Sequence, residues 1–284
     1  MYKVLLPLHV TGYWFTVEGY DPLHTGSLGA GINLTPIEVY KYGGEPGVYF
    51  QGGDRIIYQT YLESFSRLGI NPISIRVGSR NILGRGYGLS GGLAIAAVLL
   101  AVEGGTYEEL GRYVHVSEVV NRTGYGDVTG ILTGGLEVRL SPGAPGIGRV
   151  EKVLVTEEFD IISLEVGNMT TPEMIIRFGD RVAKVGPKVH SEFLEDPSLT
   201  RFIELSHRFS IETGMLKRDE VESIHGLLNS YGLLEPLIGL HKKKNIILIY
   251  FEEGYGHEAS EALSKLGEVK LFKIWDEGLV LRND

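Results

Sequence analysis

The chain has 284 residues, of which 43% are hydrophobic and 22% are charged, and its formal net charge is -9. These values are typical of a soluble globular protein with one large domain or two smaller ones. The negative charge, with no basic cluster beyond residues 242–244, argues against a nucleic-acid-binding protein. The absence of cysteine excludes disulfides, thiolate metal sites and cysteine nucleophiles.

The sequence gives no sign of a membrane protein. Its longest apolar run, residues 93–102, falls well short of the ~20 residues that a membrane-spanning helix needs. The N-terminus lacks a basic segment followed by a small-residue cleavage site. We therefore expect a cytoplasmic protein that does not act at a membrane.

The first half of the chain predicts strands and helices separated by glycine-rich turns. Hydrophobic periodicity predicts strands at residues 2–8, 12–17, 32–40, 48–51, 73–77 and 136–140, and helices at residues 54–68, 93–102, 107–122 and 128–132. Asp54, Thr106 and Asp127 are candidate N-caps. Residues 21–31 predict a loop that carries function, because the segment is rich in small residues rather than charged ones.

A rigid segment with two prolines and three glycines, residues 141–148, marks the expected domain boundary. We therefore expect an N-terminal domain of residues 1–148 and a C-terminal domain of residues 149–284. The second part predicts strands at 152–155, 161–165, 245–251 and 269–274, and helices at 171–185, 198–213, 218–231 and 257–266. Because strands and helices mix without a strict repeat, the fold class is expected to be α+β.

A glycine-rich loop, residues 84–92, directly precedes the apolar run and is the strongest functional signal. Five of its nine residues are glycine. A glycine loop that opens a buried helix directs unpaired N–H groups and the positive end of the helix dipole to one point, where phosphate is the commonest occupant. The alternative is a tight turn between a strand and a packed helix.

Other nucleotide-binding motifs fit less well. The chain has no Gly-Lys-Ser/Thr of the Walker type, and it has no HRD or DFG motif of a protein kinase. Residues 86–91 fit G-x-G-x-x-G, but the glycines do not directly follow the first strand of a βαβ unit. A dinucleotide-binding oxidoreductase therefore stays open as a weaker alternative.

Phosphoryl transfer needs a phosphate cradle, oxygen ligands for Mg²⁺ and a group beside the attacking hydroxyl. Ser90 and Glu118 are candidate magnesium ligands, and His115 projects from the same helix face as Glu118. Asp127 can cap a helix and still face a ligand, while Arg139 can bind an anion with its guanidinium fork. The structural alternatives are a solvated Glu118, a half-buried His115 and an Arg139 that extends to solvent.

These motifs resemble the GHMP kinase superfamily, named for galactokinase, homoserine, mevalonate and phosphomevalonate kinases. Residues 86–91 align with the G-L-G-S-S-A of its glycine motif, although Leu89 and Ile82 stand where that motif has its first serine and leading proline. Within the superfamily the chain is similar to the archaeal pantoate kinase family. The shared motifs follow in order as HVTGY, GSLGAG, Ser90-Gly91, GYGD, GG and the PGAPGIG that follows Arg139, over residues 9–148.

The resemblance implies the GHMP kinase fold, with an N-terminal domain like domain 2 of ribosomal protein S5 and a C-terminal ferredoxin-like domain. ATP would lie over the glycine loop, and with Mg²⁺ the enzyme would phosphorylate (R)-pantoate to 4-phosphopantoate for coenzyme A biosynthesis. The expected partners are pantoate and ATP, with a possible homodimer and no nucleic acid. Homoserine, mevalonate or shikimate is the alternative acceptor, and a non-catalytic ligand-binding relative is the alternative class.

The resemblance also implies roles for individual residues. Asp127 lies beside the acceptor hydroxyl, Ser90 and Glu118 bind Mg²⁺, and the expected ATP contacts are Gly84, Gly86, Tyr87, Gly88, Leu89, Ser90 and Gly91. For pantoate we expect contacts from Ser27, His115 and Arg139, with Arg139 on the carboxylate, and closure of the backbone at Gly29 and Gly31. Residues 254–256 are the best match to the late glycine loop of the superfamily.

Overall fold

The computed structural model describes residues 2–167 and 169–283, which form two β-sheets and the helices that cover them. In chain order the elements are β1 (Tyr2–Val17), β2 (Gly26–Tyr42), β3 (Gly47–Tyr49), β4 (Arg55–Ile56), α1 (Gln59–Leu68), β5 (Ser74–Val77), α2 (Leu89–Ala101), α3 (Tyr107–Asn121), α4 (Asp127–Thr133), β6 (Leu136–Arg139), β7 (Val150–Val153), β8 (Phe159–Glu165), α5 (Thr171–Glu195), α6 (Leu199–Thr213), α7 (Arg218–Ser230), β9 (Leu237–Lys243), β10 (Ile246–Glu252), α8 (Gly256–Leu263), β11 (Val269–Phe272) and β12 (Val280–Asn283). Among these helices none is long and apolar enough to cross a membrane.

The first sheet is built on the long antiparallel pair β1 and β2. Its order is β12-β1-β2-β5-β3-β4, and β6 pairs with β2 while β7 pairs with β6. The β1–β2 ladder extends from Lys3 opposite Tyr40 to Val17 opposite Gly26. The apolar helix α2 packs against both strands, with eleven of its thirteen residues buried. Gly88 and Gly92 lie against His9 and Leu6, so this core fixes the start of α2 beside the middle of β1.

The second sheet has the order β11-β8-β10-β9 and is antiparallel throughout. Along the chain β8 is followed by helices, then β9, β10, α8 and β11. This is the split βαβ arrangement of the ferredoxin-like fold, which was expected for the C-terminal part.

The two halves share strands and core across the expected boundary at residue 148. The strand β7 continues the first sheet beside β6, and the C-terminal strand β12 returns to pair with β1. One apolar cluster contains Val10 of the first half together with Phe209 and Tyr250 of the second. The first sheet therefore needs residues from both ends of the chain.

Several local predictions differ from the structure. The strands expected at 2–8 and 12–17 are one strand, β1, with irregularities in the β2 pairing at Leu6/Leu8 and at Thr11/Tyr13. The loop expected at 21–31 becomes strand from Gly26 onward, because β1 and β6 pair with this segment from both sides. Helix α1 begins at Gln59 rather than at 54, since residues 55–56 pair with β3. The expected helix at 171–185 extends to residue 195, and β9 and β12 were not predicted.

Candidate active site

A cavity of about 400 Å³ opens between the two halves of the molecule. The glycine loop, the start of α4, the C-terminal part of β1 and the start of β2 line it from the first half. The start of α5, the end of β9 and the turn that follows line it from the second half. It brings together Ser27, Ser90 and Asp127, which are far apart in the sequence. Of the expected ATP-contacting residues, the lining includes Gly84, Gly86, Tyr87, Gly88, Leu89 and Ser90.

The glycine loop delivers the start of α2 to this cavity. The N-cap residue Gly88 has a φ of 65°, and no side chain caps the helix. A Cβ at Gly88 would lie 3.3 Å from the carbonyl oxygen of His9, so the loop lies directly against β1. The first turn of α2 therefore lies at the cavity, where N–H groups at a helix start can bind an anion, and the N–H of Gly91 interacts with the Glu118 carboxylate.

Glu118 and Ser90 form a candidate cation site beside this helix start. The Glu118 carboxylate is 1% exposed, lies between Gly91 and Gly124, and accepts a hydrogen bond from Thr123 Oγ1 at 3.2 Å. Burial and the negative charge of Asp127 raise the pKa of Glu118 to about 8.

The residues of this site fit a magnesium ion that is shared with phosphate groups. Ser90 Oγ is buried beside the Glu118 carboxylate, with which it interacts. Within the described chain no three His, Cys, Asp or Glu side chains form a preformed metal site. Mg²⁺ usually takes one or two protein oxygens and completes its shell with water and substrate phosphates, so a carboxylate and a neighbouring hydroxyl are sufficient.

A row of buried charges extends from Asp127 into the core. His9 Nδ1 donates to Asp127 Oδ1 at 3.2 Å, and His9 Nε2 donates to Glu137 Oε1 at 3.0 Å. Glu137 also accepts from Arg139 Nη1. His9 and Glu137 are fully buried, and the Asp127 side chain is 24% exposed at the cavity. The four side chains alternate in charge, and we call them the Asp127–Arg139 row.

The row keeps Asp127 ionised. Burial alone lowers the pKa of His9, but the bonds to Asp127 and Glu137 outweigh it and raise the pKa above its usual value. Burial raises the pKa of Asp127, but the bond to His9 and the positive charges of His9, Lys243 and Arg139 bring it down to about 2. Asp127 therefore presents a carboxylate that can accept a hydrogen bond from a hydroxyl group.

Two glycines make room for the His9 ring. A Cβ at Gly31 or at Gly130 would collide with His9 Nε2. Gly31 was expected to let the backbone close over a substrate, but it accommodates a histidine inside the protein. Sequence analysis assigned no role to His9 or Glu137, although Glu137 and Arg139, two apart on a strand, share one face of the sheet.

His115 and Arg139 do not line the cavity. His115 is 1% exposed, and its Nε2 donates to the carbonyl oxygen of Thr25 at 2.8 Å, so it supports the chain just before Ser27. Arg139 is 3% exposed and its guanidinium is held by Glu137 behind the cavity wall. Arg139 Nε lies directly behind the cavity-lining Gly126 and is buried without a hydrogen-bond partner among the described residues. The expected contacts of His115 and Arg139 with pantoate stay predictions.

Cationic residues that sequence analysis did not assign to the site do line the cavity. They are Lys243 at the end of β9, Lys244 in the turn that follows, and Arg122 after α3. Lys243 Nζ lies 3.1 Å from the centroid of the Trp14 ring. The sequence feature that could have predicted these lysines is the basic cluster 242–244, which served above only as an argument against nucleic-acid binding.

The expected late glycine loop lies elsewhere. The backbone N–H groups of Gly254 and Gly256 both donate to Asp160 Oδ2 at 2.8 Å, and Lys273 Nζ lies 3.1 Å from the other carboxylate oxygen of Asp160. This loop is not part of the cavity lining. The loop instead forms the start of a helix in the second half of the molecule, where Asp160 holds it.

Comparison with known proteins gives relatives over most of the chain. The pantoate kinase of Thermococcus kodakarensis is 31% identical over 232 residues, which cover 75% of this chain and 76% of the relative. The pantoate kinase of Methanocaldococcus jannaschii is 29% identical over 240 residues, with 82% and 88% coverage. No family model matches the chain.

Solved structures confirm the fold. A phosphotransferase related to the coenzyme A biosynthesis pathway superposes with a TM-score of 0.81 at 23% identity and covers 99% of this chain and 98% of its own. A putative homoserine kinase from Listeria monocytogenes gives a TM-score of 0.64 at 12% identity, with full coverage of both chains. The expected α+β GHMP kinase fold is therefore confirmed. With a relative 31% identical across three quarters of its length, the chain belongs to the pantoate kinase family.

Proposed function

We propose that this protein transfers the γ-phosphoryl group of ATP to the 4-hydroxyl of (R)-pantoate, forming 4-phosphopantoate and ADP. The observation that carries the proposal is that the uncapped start of α2 and the ionised Asp127 open onto the same cavity. A phosphate donor and a hydroxyl acceptor can therefore meet there. Membership of the pantoate kinase family supports pantoate as the acceptor.

In this proposal the nucleotide phosphates lie at the first turn of α2, where backbone N–H groups and the helix dipole stabilise negative charge. Glu118 and Ser90 would hold Mg²⁺. When bound, the ion neutralises charge on the β- and γ-phosphates. It would also relieve the repulsion between the Glu118 and Asp127 carboxylates.

Asp127 would orient the attacking hydroxyl. With a pKa of about 2 it is a weak base, so we assign it the acceptance of the hydroxyl hydrogen bond rather than early removal of the proton. The new P–O bond forms as the bond between the β-phosphate oxygen and the γ-phosphorus breaks, and the hydroxyl proton leaves as the new bond forms. His9 would keep the Asp127 carboxylate pointed at the cavity.

Ser27 lines the cavity and is proposed to contact pantoate directly. His115 would act indirectly, through its bond to the Thr25 carbonyl two residues earlier. Arg139 would act through Glu137.

Product analysis tests the proposal. Incubation with ATP, Mg²⁺ and (R)-pantoate is expected to convert pantoate to a phosphomonoester, which ³¹P NMR detects and coupling to the C4 methylene protons locates. Omission of pantoate should leave ATP intact. Stable ATP in the presence of pantoate and active, folded protein would refute the proposal.

A further inference from the structure

The start of helix α1 carries two hydroxyl groups that the proposed function does not use. The first belongs to Tyr58, at the N-cap position of α1, where a short polar side chain usually accepts a hydrogen bond from the first turn. The Tyr58 side chain makes no such bond. Its hydroxyl donates instead to the backbone carbonyl oxygen of Ser90 in α2, at 2.8 Å. Tyr58 therefore holds the first turn of another helix and not that of its own.

The second hydroxyl group belongs to Thr60, whose side chain is buried. Thr60 Oγ1 lies 2.9 Å from Thr123 Oγ1, and Thr123 Oγ1 lies 3.2 Å from Glu118 Oε1. An ionised Glu118 can only accept hydrogen bonds, so Thr123 donates to Glu118 and Thr60 donates to Thr123. Two hydroxyl groups in series therefore connect α1 with the carboxylate that is proposed to hold Mg²⁺.

Both connections from α1 end at the same place. Ser90 Oγ interacts with the Glu118 carboxylate. Burial and the negative charge of Glu118 raise the pKa of Tyr58 well above its usual value, so the Tyr58 hydroxyl keeps its proton at neutral pH and remains a donor. Ser90 belongs to α2 and Glu118 to α3, and α1 packs against both helices. The start of α1 is therefore placed to fix the two residues relative to each other.

A magnesium site makes this arrangement important. Mg²⁺ demands near-ideal octahedral geometry, so two ligands that come from different helices must be held in fixed positions. Groups that bond to metal ligands without touching the metal often set its affinity. Gly91 and Gly124, which flank the Glu118 carboxylate, have no side chain that could hold it. The hydroxyl groups that begin at α1 supply this support.

We propose that Tyr58 and Thr60 are positioning residues for the metal site. Tyr58 holds Ser90 by its backbone carbonyl group. Thr60 holds Glu118 through Thr123. Neither Tyr58 nor Thr60 lines the cavity, so both act through the two ligands and not on the nucleotide or the acceptor. The inference rests on the proposed function, in which Ser90 and Glu118 hold Mg²⁺.

The test measures metal binding without turnover. Calorimetric titration of the protein with Mg²⁺-ADP and with ADP in EDTA, both without an acceptor, separates the contribution of the metal from that of the nucleotide. Wild type is expected to bind Mg²⁺-ADP more tightly than metal-free ADP. Tyr58→Phe and Thr60→Val each remove one hydroxyl group, and Kd for Mg²⁺-ADP should rise by about tenfold in each, since loss of an outer partner weakens a metal site. Kd for metal-free ADP should stay at the wild-type value.

Kinetics give a second measure of the same effect. The Mg²⁺ concentration for half-maximal activity should rise roughly tenfold in both variants, while KM for pantoate and kcat at saturating Mg²⁺ change little. Because Thr60 acts through Thr123, adding Thr60→Val to Thr123→Val should have little further effect. Independent contributions of the two threonines would contradict a chain of hydroxyl groups.

Matched variants separate positioning from a general loss of stability. Thr60→Ser retains the hydroxyl group and should bind Mg²⁺-ADP like wild type. Tyr49→Phe removes a tyrosine hydroxyl that donates to the backbone carbonyl oxygen of Glu45 at 3.0 Å. Thr213→Val removes a buried hydroxyl of α6 that donates to a backbone carbonyl oxygen. Neither bond reaches the proposed ligands, so both controls should keep the wild-type Kd for Mg²⁺-ADP even where the melting temperature falls.

Two results would overturn the inference. A wild-type Kd for Mg²⁺-ADP in Tyr58→Phe and Thr60→Val would show that neither hydroxyl supports the metal site. An equal rise in Kd for Mg²⁺-ADP and metal-free ADP would show that the variants disturb the nucleotide site as a whole. Failure of the proposed function looks different: wild type would then bind Mg²⁺-ADP and depend on Tyr58 and Thr60 for it, but would not phosphorylate pantoate.

Discussion

Asp127 is oriented by a row of buried charges and not by one contact. In this row Asp127, His9, Glu137 and Arg139 alternate in sign, so each buried charge has at least one opposite neighbour. Removing one partner from a buried ion pair leaves an uncompensated charge and costs about 3–5 kcal/mol. Each member of the row therefore affects both stability and the position of the Asp127 carboxylate.

Asp127→Asn is expected to lower kcat by roughly 10²- to 10⁴-fold, because an amide accepts the hydroxyl hydrogen bond poorly and carries no charge. Affinity for ATP should change little, since the first turn of α2 is intact. Steady-state kinetics with pantoate and calorimetric titration with a non-hydrolysable ATP analogue measure the two effects. Near-normal turnover would remove Asp127 from the reaction.

His9→Gln tests the next member of the row. The amide retains a hydrogen-bond donor but not the positive charge, so Asp127 loses its fixed partner and Glu137 loses one opposite charge. We expect a fall in kcat of roughly tenfold or more, with KM for ATP unchanged, and a lower melting temperature. A lower melting temperature with wild-type kcat, measured well below the transition, would mean that His9 has only a structural role.

At the scale of single elements, the start of α2 depends on glycines for space as well as for backbone conformation. A Cβ at Gly91 would lie 2.5 Å from Glu118 Oε2. Gly91→Ala should therefore displace the Glu118 carboxylate and raise the Mg²⁺ concentration needed for half-maximal activity. Gly104→Ala is the matched control, because nothing lies within 4 Å of a Cβ at that position. Equal Mg²⁺ dependence in the two variants would argue against Glu118 as a ligand.

The elements also show what the sequence could and could not predict. Local patterns predicted α2, α3 and the positions of Ser90 and Asp127, because helix periodicity and glycine loops are short-range signals. The contact of His9 with Asp127 spans 118 positions along the chain, and no local pattern reports it. The register shifts near Leu6 and Thr11 and the return of β12 likewise depend on tertiary pairing.

Arg139 illustrates a different limit. A lone cation on an apolar strand predicts an anion-binding residue, but the local pattern does not show whether a partner is already present. Glu137 is two residues earlier on the same face and takes the guanidinium. Lys243 was not predicted to line the cavity. It comes from the second half of the chain, and the ferredoxin-like sheet brings it there.

At the scale of the whole molecule, buried neutral histidines link stability to pH. Burial lowers the pKa of His241 to about 3, and burial with the charge of Arg139 lowers that of His190 to about 4. An unfolded histidine titrates near 6.5, so below that pH the unfolded chain binds more protons than the folded one. Stability should therefore fall as the pH decreases from about 6.5 towards 4, by at most ~1.4 kcal/mol per pH unit for each histidine.

His241→Phe should reduce this acid sensitivity, because both ring nitrogens of His241 are buried without a hydrogen-bond partner among the described residues. The ring stacks on Tyr250 at 5.6 Å, and a phenyl ring can keep that contact. Urea unfolding at pH 7 and pH 5 measures the change. His257→Gln, at an exposed position, is the control and should behave as wild type. Equal loss of stability at pH 5 in His241→Phe and wild type would contradict the assignment.

The two halves of the molecule meet at the cavity, where we propose that pantoate and ATP react. The most direct test is ADP release with ATP and Mg²⁺ against pantoate, homoserine, mevalonate and shikimate in parallel. We predict release with pantoate and little with the other three. Release with a different acceptor and not with pantoate would keep the fold and Asp127 but contradict pantoate as the acceptor, and NAD binding without any ADP release would contradict the assignment of the glycine loop.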